Sequence, residues 1–295
     1  MNKALIITGI TASGKSKVCV ELAKKYNGVI INCDSKQIYK EIPIITAQPI
    51  ELESIPHKLY GYVSAQVNYS VGLWLQDIEK EVKSAWKNLQ LPIIIGGSGL
   101  YIKSLINGLS SIPKVDDDIR VMSRNLYGEL GKQGFYELVL SKDRMIQGKI
   151  HENNFHRLLR AFEVITQTGK SIFTWHKETT ISILDNFIMY VICPPRNFIY
   201  DEINKRFTSM VGLGVVDEVK QLFDMNLNPW LPAMKAHGAP EIIKYLKNEI
   251  TLNEAINTAQ INTRHYAKRQ YTWFKNQFSN AKFIDDPARL IELDF

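Results

Sequence analysis

GITASGKS, residues 9–16, satisfies the phosphate-binding pattern G-x-x-x-x-G-K-[ST] at every fixed position. The short apolar run Ala4–Thr8 enters it, and Ser16–Lys25 leaves it with Val18, Leu22 and Ala23 at helical spacing. Strand, loop and helix are the context this motif requires. Gly9 opens the loop, and the backbone N–H groups of Ile10, Thr11, Ala12, Ser13, Gly14, Lys15 and Ser16 can converge on a diphosphate. Lys15 adds a point charge, the Ser16 hydroxyl can join a magnesium shell, and the helix contributes its positive end. The loop therefore predicts a bound diphosphate, and the rest of the chain must say whose.

Three further strands follow from the pattern. Val29–Asn32 runs into CDSKQIY, Pro92–Ile95 into GGSGLYI, and Phe187–Cys193 into Pro194 and Pro195. A last short strand lies near Lys282–Ile284. Parallel strands separated by helices predict an α/β fold, a P-loop NTPase-like doubly wound parallel sheet with ligands at the carboxyl ends of its strands. Between the third and fourth strands the chain reads mostly as helix, as in Asp117–Gly131 and Asn154–Gln167. A plain crossover needs only about a dozen residues. The expected organisation is thus a core domain of 1–114 plus 183–295, with a helical insertion domain at 115–182.

Composition narrows the setting. The 295 residues are 45% hydrophobic, and no apolar run approaches the roughly 18 residues of a membrane span. The opening MNKALIITGI passes from one Lys straight into the first strand, so no signal peptide is expected. Cys19, Cys33 and Cys193 lack disulfide or metal spacing, which suits a reducing cytoplasm. The net charge of +6, from 36 basic and 30 acidic residues, permits a polyanionic partner. No two histidines pair at i, i+4, so no metal-ligand set is expected from them.

Asp34 stands just beyond the second strand, at the edge of the sheet that carries the glycine loop. An Asp there commonly caps a helix. However, the third strand ends in Gly96 and Gly97 with no Asp after it, which leaves Asp34 as the carboxylate at a strand end near the phosphates. Its functional role would be magnesium ligand or general base. Ser35 and Gln37 beside it could read a planar polar ligand, and Ser98 can donate to a phosphate. Far along the chain, NTRHYAKRQYTWFKN, 262–276, sets Arg264, Lys268, Tyr271 and Lys275 on one helical face. Cations and a ring presented together suit phosphates and unstacked bases. Arg157 and Arg160 form a second basic pair on one face of HRLLRAFEVI, 156–165.

Taken in order, GITASGKS, DSKQIY, TAQP, PHKL, GGSGLYI, HENNFHRLLRAFEV, PPRNFIY and TRHYAKRQYTWF resemble the tRNA dimethylallyltransferases, also called tRNA isopentenyltransferases. The resemblance runs from residue 4 to about 278. It implies that the loop holds dimethylallyl diphosphate with Mg²⁺, and that the dimethylallyl group passes to the 6-amino group of the adenosine 3′ to the anticodon. It implies Asp34 as general base, with Lys15, Ser98 (usually Thr in the family) and Arg120 also at the chemistry, and Ser16 toward the metal. Contacts to the tRNA anticodon stem-loop would come from Ser35, Lys36 and Gln37, from His156, Arg157 and Arg160, from Lys235 and His237, and from Lys268, Arg269, Gln270, Trp273 and Lys275. A cytoplasmic monomer is expected, with no membrane partner.

Two stretches depart from the family pattern. I-G-T-A-K-P reads IITAQP at 44–49, and A-I-G-Y-K-E reads AHGAPE at 236–241. These changes remove cations and an aromatic from segments expected to meet tRNA. Two other classes share features with the chain. A small-molecule kinase would have the same loop but also an Asp after a later strand and an Arg-rich lid; a non-catalytic RNA-binding module would explain the basic helix but not Lys15, Ser16 and Asp34 together.

Overall fold

The computed structural model describes residues 2–49, 55–178, 180 and 182–295. In chain order its elements are β1 (Ala4–Gly9), α1 (Lys15–Lys25), β2 (Gly28–Asn32), β3 (His57–Lys58), α2 (Val71–Lys87), β4 (Leu91–Gly96), α3 (Gly99–Asn107) and α4 (Asp117–Lys142). There follow α5 (Phe155–Thr168), α6 (Ile172–Trp175), β5 (Phe187–Ile192), α7 (Arg196–Gly212), α8 (Val215–Asp224), α9 (Ala239–Leu246), α10 (Leu252–Gln277) and β6 (Lys282–Ile284). The chain divides into two compact units, Met1–Ile106 with Ser182–Phe295, and Asn107–Ile181.

The larger unit is built on a six-stranded sheet of order β3-β2-β4-β1-β5-β6, with every pairing parallel. Both faces are covered, which is why its central strands read as continuous apolar runs. In β1, Ala4 and Ile6 face Trp74, Ile78, Val82, Ile102 and Leu105 of α2 and α3. Leu5 and Ile7 face the opposite way, onto Val18, Cys19, Leu22 and Ala23 of α1. The strand β3 has two residues, too short to leave a sequence pattern, and it extends the sheet beyond β2. A separate core joins α7, α8, α9 and α10 to the segment after β2, through Ile38, Ile42, Ile45, Ile203, Phe207, Val219 and Ala239.

Two glycines let the strand ends come together at the edge that carries the phosphate loop. A Cβ on Gly9 would lie 2.1 Å from the Ile192 carbonyl oxygen, and one on Gly96 would lie 2.1 Å from that of Cys33. Neither site admits a side chain, so β5, β1, β4 and β2 bring their carboxyl ends into contact there.

The smaller unit is helical and has its own core of Phe135, Val139, Leu158, Phe162 and Ile172. Helix α4 is interrupted at Gly131, whose backbone is non-helical (φ 65°, ψ −174°), and a second helical stretch runs on to Lys142, so the helix expected over Asp117–Gly131 ends where the sequence places it. Of the residues with expected tRNA or catalytic roles, this unit carries Arg120, His156, Arg157 and Arg160. His156 and Arg157 are exposed on α5. Arg120 pairs with Asp117 at 3.4 Å, and Arg160 reaches the buried Glu163 at 3.8 Å.

Candidate active site

A cavity of about 590 Å³ opens at the carboxyl edge of the sheet, lined entirely by the larger unit. One wall is the phosphate loop from Thr11 to Lys17; a second is Asp34, Ser35, Lys36 and Gln37 after β2; Ile95, Gly96 and Gly97 form the floor. Ile45, Thr46 and Ala47 supply a further wall, and Arg206, Lys235, His237, Tyr266, Arg269 and Gln270 reach in from the helices.

The loop is held from within and from outside. Gly14, left-handed at φ 82°, turns the chain into α1. The Lys15 ammonium donates to the carbonyls of Gly9 (3.0 Å) and Ile10 (2.6 Å) and to Ser13 Oγ (3.2 Å). Burial pushes its pKa down to about 8, opposed by the Asp34 carboxylate. From α10, the amide of Gln270 accepts from the Thr11 N–H at 2.9 Å and donates to the Gly97 carbonyl at 2.9 Å. One buried side chain thus ties the loop to the end of β4. Gln270 was expected among the tRNA contacts; within the chain its amide oxygen and nitrogen each have a backbone partner.

Arg206 of α7 is the cation that sequence reasoning missed. Its Nη2 donates to Thr11 Oγ1 at 3.1 Å, and its Nε is buried with no partner among the described residues. Burial lowers its pKa, with Asp34 again opposing. The signal lay in the helical spacing of Ile199, Ile203, Arg206 and Met210, which turns this arginine inward with the apolar face.

Asp34 sits in a tight local turn. Its N–H donates to Asn32 Oδ1 (2.8 Å), and its Oδ1 accepts from the Lys36 N–H (2.9 Å). Its Oδ2 has no hydrogen-bond partner among the described residues. The Lys36 ammonium donates to the Pro232 carbonyl at 2.7 Å; burial lowers its pKa to about 8, against the pull of Asp34. Lys15, Lys36 and Arg206 therefore place three half-buried cations around one carboxylate.

Ser98 does not line the cavity. Its hydroxyl oxygen accepts from the Ser35 N–H at 2.9 Å and joins the end of β4 to the end of β2. Ser16 does line it, beside Lys15. Lys235 lines the cavity and lies over the Trp230 ring at 4.5 Å. His237 packs its ring 4.2 Å from that of Tyr266. Burial first, and Lys36 second, lower its pKa to about 4, so the imidazole is neutral at pH 7. Arg269 also enters the cavity, whereas Lys268 and Lys275 are exposed on α10 and Trp273 packs over Gly99.

The wall at 44–47 is clamped from two sides. Gln37 donates to the carbonyls of Thr46 (2.9 Å) and Ala47 (2.8 Å). Glu218 of α8 accepts from the N–H groups of Ile44 (2.6 Å) and Ile45 (2.8 Å). The two departures in sequence meet here. Ile45 Cδ1 lies 2.8 Å from where a Cβ on Gly238 would stand, and the fully buried Ala239 belongs to the same core. The cavity thus gathers the loop from Thr11 to Lys17, the cations Lys15, Lys36, Arg206, Lys235 and Arg269, and one carboxylate, Asp34.

Comparison with known proteins agrees on one family. The family described as IPP transferase matches residues 37–277. The tRNA dimethylallyltransferase of Wolbachia sp. subsp. Brugia malayi (strain TRS) is 61% identical over 291 residues, covering 98% of each chain. That of Ehrlichia canis (strain Jake) is 56% identical over 294 residues, or 99% of this chain and 98% of the relative. Among solved structures, the full-length tRNA isopentenylpyrophosphate transferase from Bacillus halodurans superimposes with a TM-score of 0.71 at 31% identity, covering 99% of this chain and 94% of that one. A eukaryotic dimethylallyltransferase acting on tRNA gives a TM-score of 0.81 at 25% identity, over 97% of this chain and 74% of that one.

Proposed function

The chain belongs to the IPP transferase family of tRNA dimethylallyltransferases, and we propose that its cavity moves the dimethylallyl group from dimethylallyl diphosphate to the exocyclic 6-amino group of the adenosine 3′ to the anticodon. The observation that carries this reading is that Asp34 and the phosphate loop line one cavity. The loop amides, Lys15 and Arg206 hold the diphosphate. The adenine nitrogen attacks the allylic carbon, the carbon–oxygen bond breaks with its electron pair going to diphosphate, and the amine proton passes to Asp34.

Each part has a physical reason. An adenine amino group is a poor nucleophile because its lone pair is delocalised into the ring, so proton removal during attack gives typically ~10²–10⁴-fold. Lys36 fixes Asp34 through the bond to Oδ1, which leaves Oδ2 for the substrate proton. Preorganised amides and half-buried cations stabilise the charge that grows on the departing diphosphate. The adenosine must leave its stack to reach Asp34, as base-modifying enzymes commonly require.

The donor set also fits Mg²⁺. Among the described residues no group of three His, Cys, Asp or Glu could hold a metal ion. A Mg²⁺ held chiefly by substrate phosphates and water needs only one or two protein oxygens, and the Ser16 hydroxyl lines the cavity beside the loop. When bound there, Mg²⁺ would offset charge on the diphosphate.

The exposed Arg157 and His156 of α5 and the basic face of α10 are the proposed tRNA contacts. No helix among the described residues is long and apolar enough to cross a membrane. We place the reaction in the cytoplasm, with one chain supplying all the chemistry. The test is Asp34→Asn, which keeps shape and removes the proton acceptor. Transfer under chemistry-limited conditions should fall at least ~10²-fold while tRNA binding stays within a few-fold. A variant retaining more than about a tenth of parental turnover would remove Asp34 from the role of base.

A further inference from the structure

A second cavity, of about 500 Å³, lies on the other side of the phosphate loop, where Ile10 and Cys193 form its inner end. Tyr200, Tyr271, Pro195 and Ile199 make its body, and Arg196 and Lys268 stand at its rim. None of the residues lining it is acidic.

The cations around it have no carboxylate within 4 Å, unlike Lys24, Lys80, Lys83, Lys205 and Lys220, each of which has one. Among the described residues Arg196, Arg264 and Lys268 have no such pair. Instead, Arg196 Nε donates to Tyr200 Oη at 2.8 Å, with its guanidinium 5.4 Å from the ring centroid. Arg264 lies 5.6 Å from the same ring and donates to Asn204 Oδ1 at 2.8 Å. One tyrosine ring thus carries two guanidinium groups with no carboxylate to neutralise them. Tyr271 remains 45% exposed, with its ring at the cavity wall.

Aromatic rings flanked by uncompensated cations are what a single-stranded nucleotide requires: a face for the base and charge for its phosphate. The position also suits one. Helix α10 contributes Arg269 and Gln270 to the catalytic cavity and the adjoining Lys268 and Tyr271 to this one. A chain that delivers one nucleotide to Asp34 passes this helix, and consecutive phosphates of a strand lie roughly one helical turn apart.

We propose that this cavity is a second RNA subsite, which takes one unstacked nucleotide of the substrate other than the target adenosine. Its base stacks on the exposed ring of Tyr271, and its phosphate is met by Arg196 and Lys268. The inference rests on the proposed tRNA-modifying activity. It adds a site for which the chemistry at Asp34 has no use.

The test uses the full chain, an anticodon stem-loop RNA and dimethylallyl diphosphate. Tyr271→Leu keeps apolar bulk and loses the π face; Arg196→Ala loses the cation. Each should weaken stem-loop binding about five- to thirtyfold, leave the KM for dimethylallyl diphosphate within twofold, and leave thermal unfolding unchanged. Only Arg196→Ala should lower the salt slope, by about one unit. Fluorescence of 2-aminopurine placed in turn at each loop position beside the target should be quenched at one of them, and Tyr271→Leu should abolish that quenching. Unchanged affinity in Tyr271→Leu, or no position quenched, overturns the subsite, and so does a loss confined to Arg196→Ala. If the parent chain fails to prenylate the stem-loop, the fault lies with the proposed activity and not with the subsite.

Discussion

Gln270 offers the most direct test of how the site is held. Its amide pairs the Thr11 N–H on one side and the Gly97 carbonyl on the other, each at 2.9 Å, and the residue is 5% exposed. Gln270→Leu preserves much of the volume and leaves both backbone groups unpaired. A buried polar group without a partner costs about 1–3 kcal/mol, so with two such groups the variant should lose about 2–6 kcal/mol of stability. For a domain of this size each kcal/mol shifts the midpoint by about 2–4 °C, which predicts a fall of about 4–24 °C. The bond to Gln270 fixes the position of the phosphate loop at Thr11, so the KM for dimethylallyl diphosphate should also rise about tenfold or more, the equivalent of ~1.4 kcal/mol, as the loop loses its brace. Gln270→Glu separates the two halves: it keeps an acceptor for Thr11 and sets a carboxylate oxygen against the Gly97 carbonyl. It should therefore retain donor KM better than the leucine variant while losing comparable stability. The assays are calorimetric unfolding and initial rates with the donor varied. A leucine variant that melts within 2 °C of the parent (about 1 kcal/mol or less) and keeps its donor KM within twofold would refute the brace.

Three further outcomes follow from the same geometry. The Lys15 pKa, about 8 in the fold against an ordinary 10.5, means that the unfolded chain holds more protons between those values, so this group makes stability rise with pH across that window. Donor binding needs the ammonium, so the KM for dimethylallyl diphosphate should climb above pH 8, by up to about tenfold per pH unit; a flat profile from pH 7 to 9.5 would contradict it. His237, at about 4 against 6.5, should make the fold lose stability as pH falls through that interval, and His237→Gln should shrink the loss in acid unfolding curves. Gly96→Ala, whose Cβ would meet the Cys33 carbonyl at 2.1 Å, should yield little folded protein, whereas Gly128→Ala, with nothing within 4 Å inside α4, should melt unchanged or higher by about 0.5–1 kcal/mol.

The parts of this molecule that local patterning can dictate were legible in its sequence. The apolar runs at β1, β2, β4 and β5 were readable because the sheet buries both faces, and the Gly loop and Asp34 because they follow strand ends directly. The strand β3 was missed because two residues carry no period. The end of a helix at Gly131 was legible because the glycine takes a left-handed φ of 65° there and breaks the helical ladder. The residues that hold the cavity together were harder to see, since each acts across a long sequence interval. Gln270 meets Thr11, Arg206 meets the same residue, and Glu218 meets Ile44 and Ile45. A polar residue on an apolar helix face, as with Arg206 and Glu218, is the trace such contacts leave in sequence. Its partner is fixed only by the fold.

The central claim is that the phosphate loop holds a leaving group and that no phosphoryl group is transferred. Phosphorus NMR of the chain with anticodon stem-loop RNA, dimethylallyl diphosphate and Mg²⁺ tests it directly, beside a tube in which ATP replaces the prenyl donor. The account predicts diphosphate appearing one-for-one with prenylated adenosine in the first tube and no change in the second. ADP together with a phosphorylated acceptor in the second tube, or inorganic phosphate without prenylated RNA in the first, would contradict it.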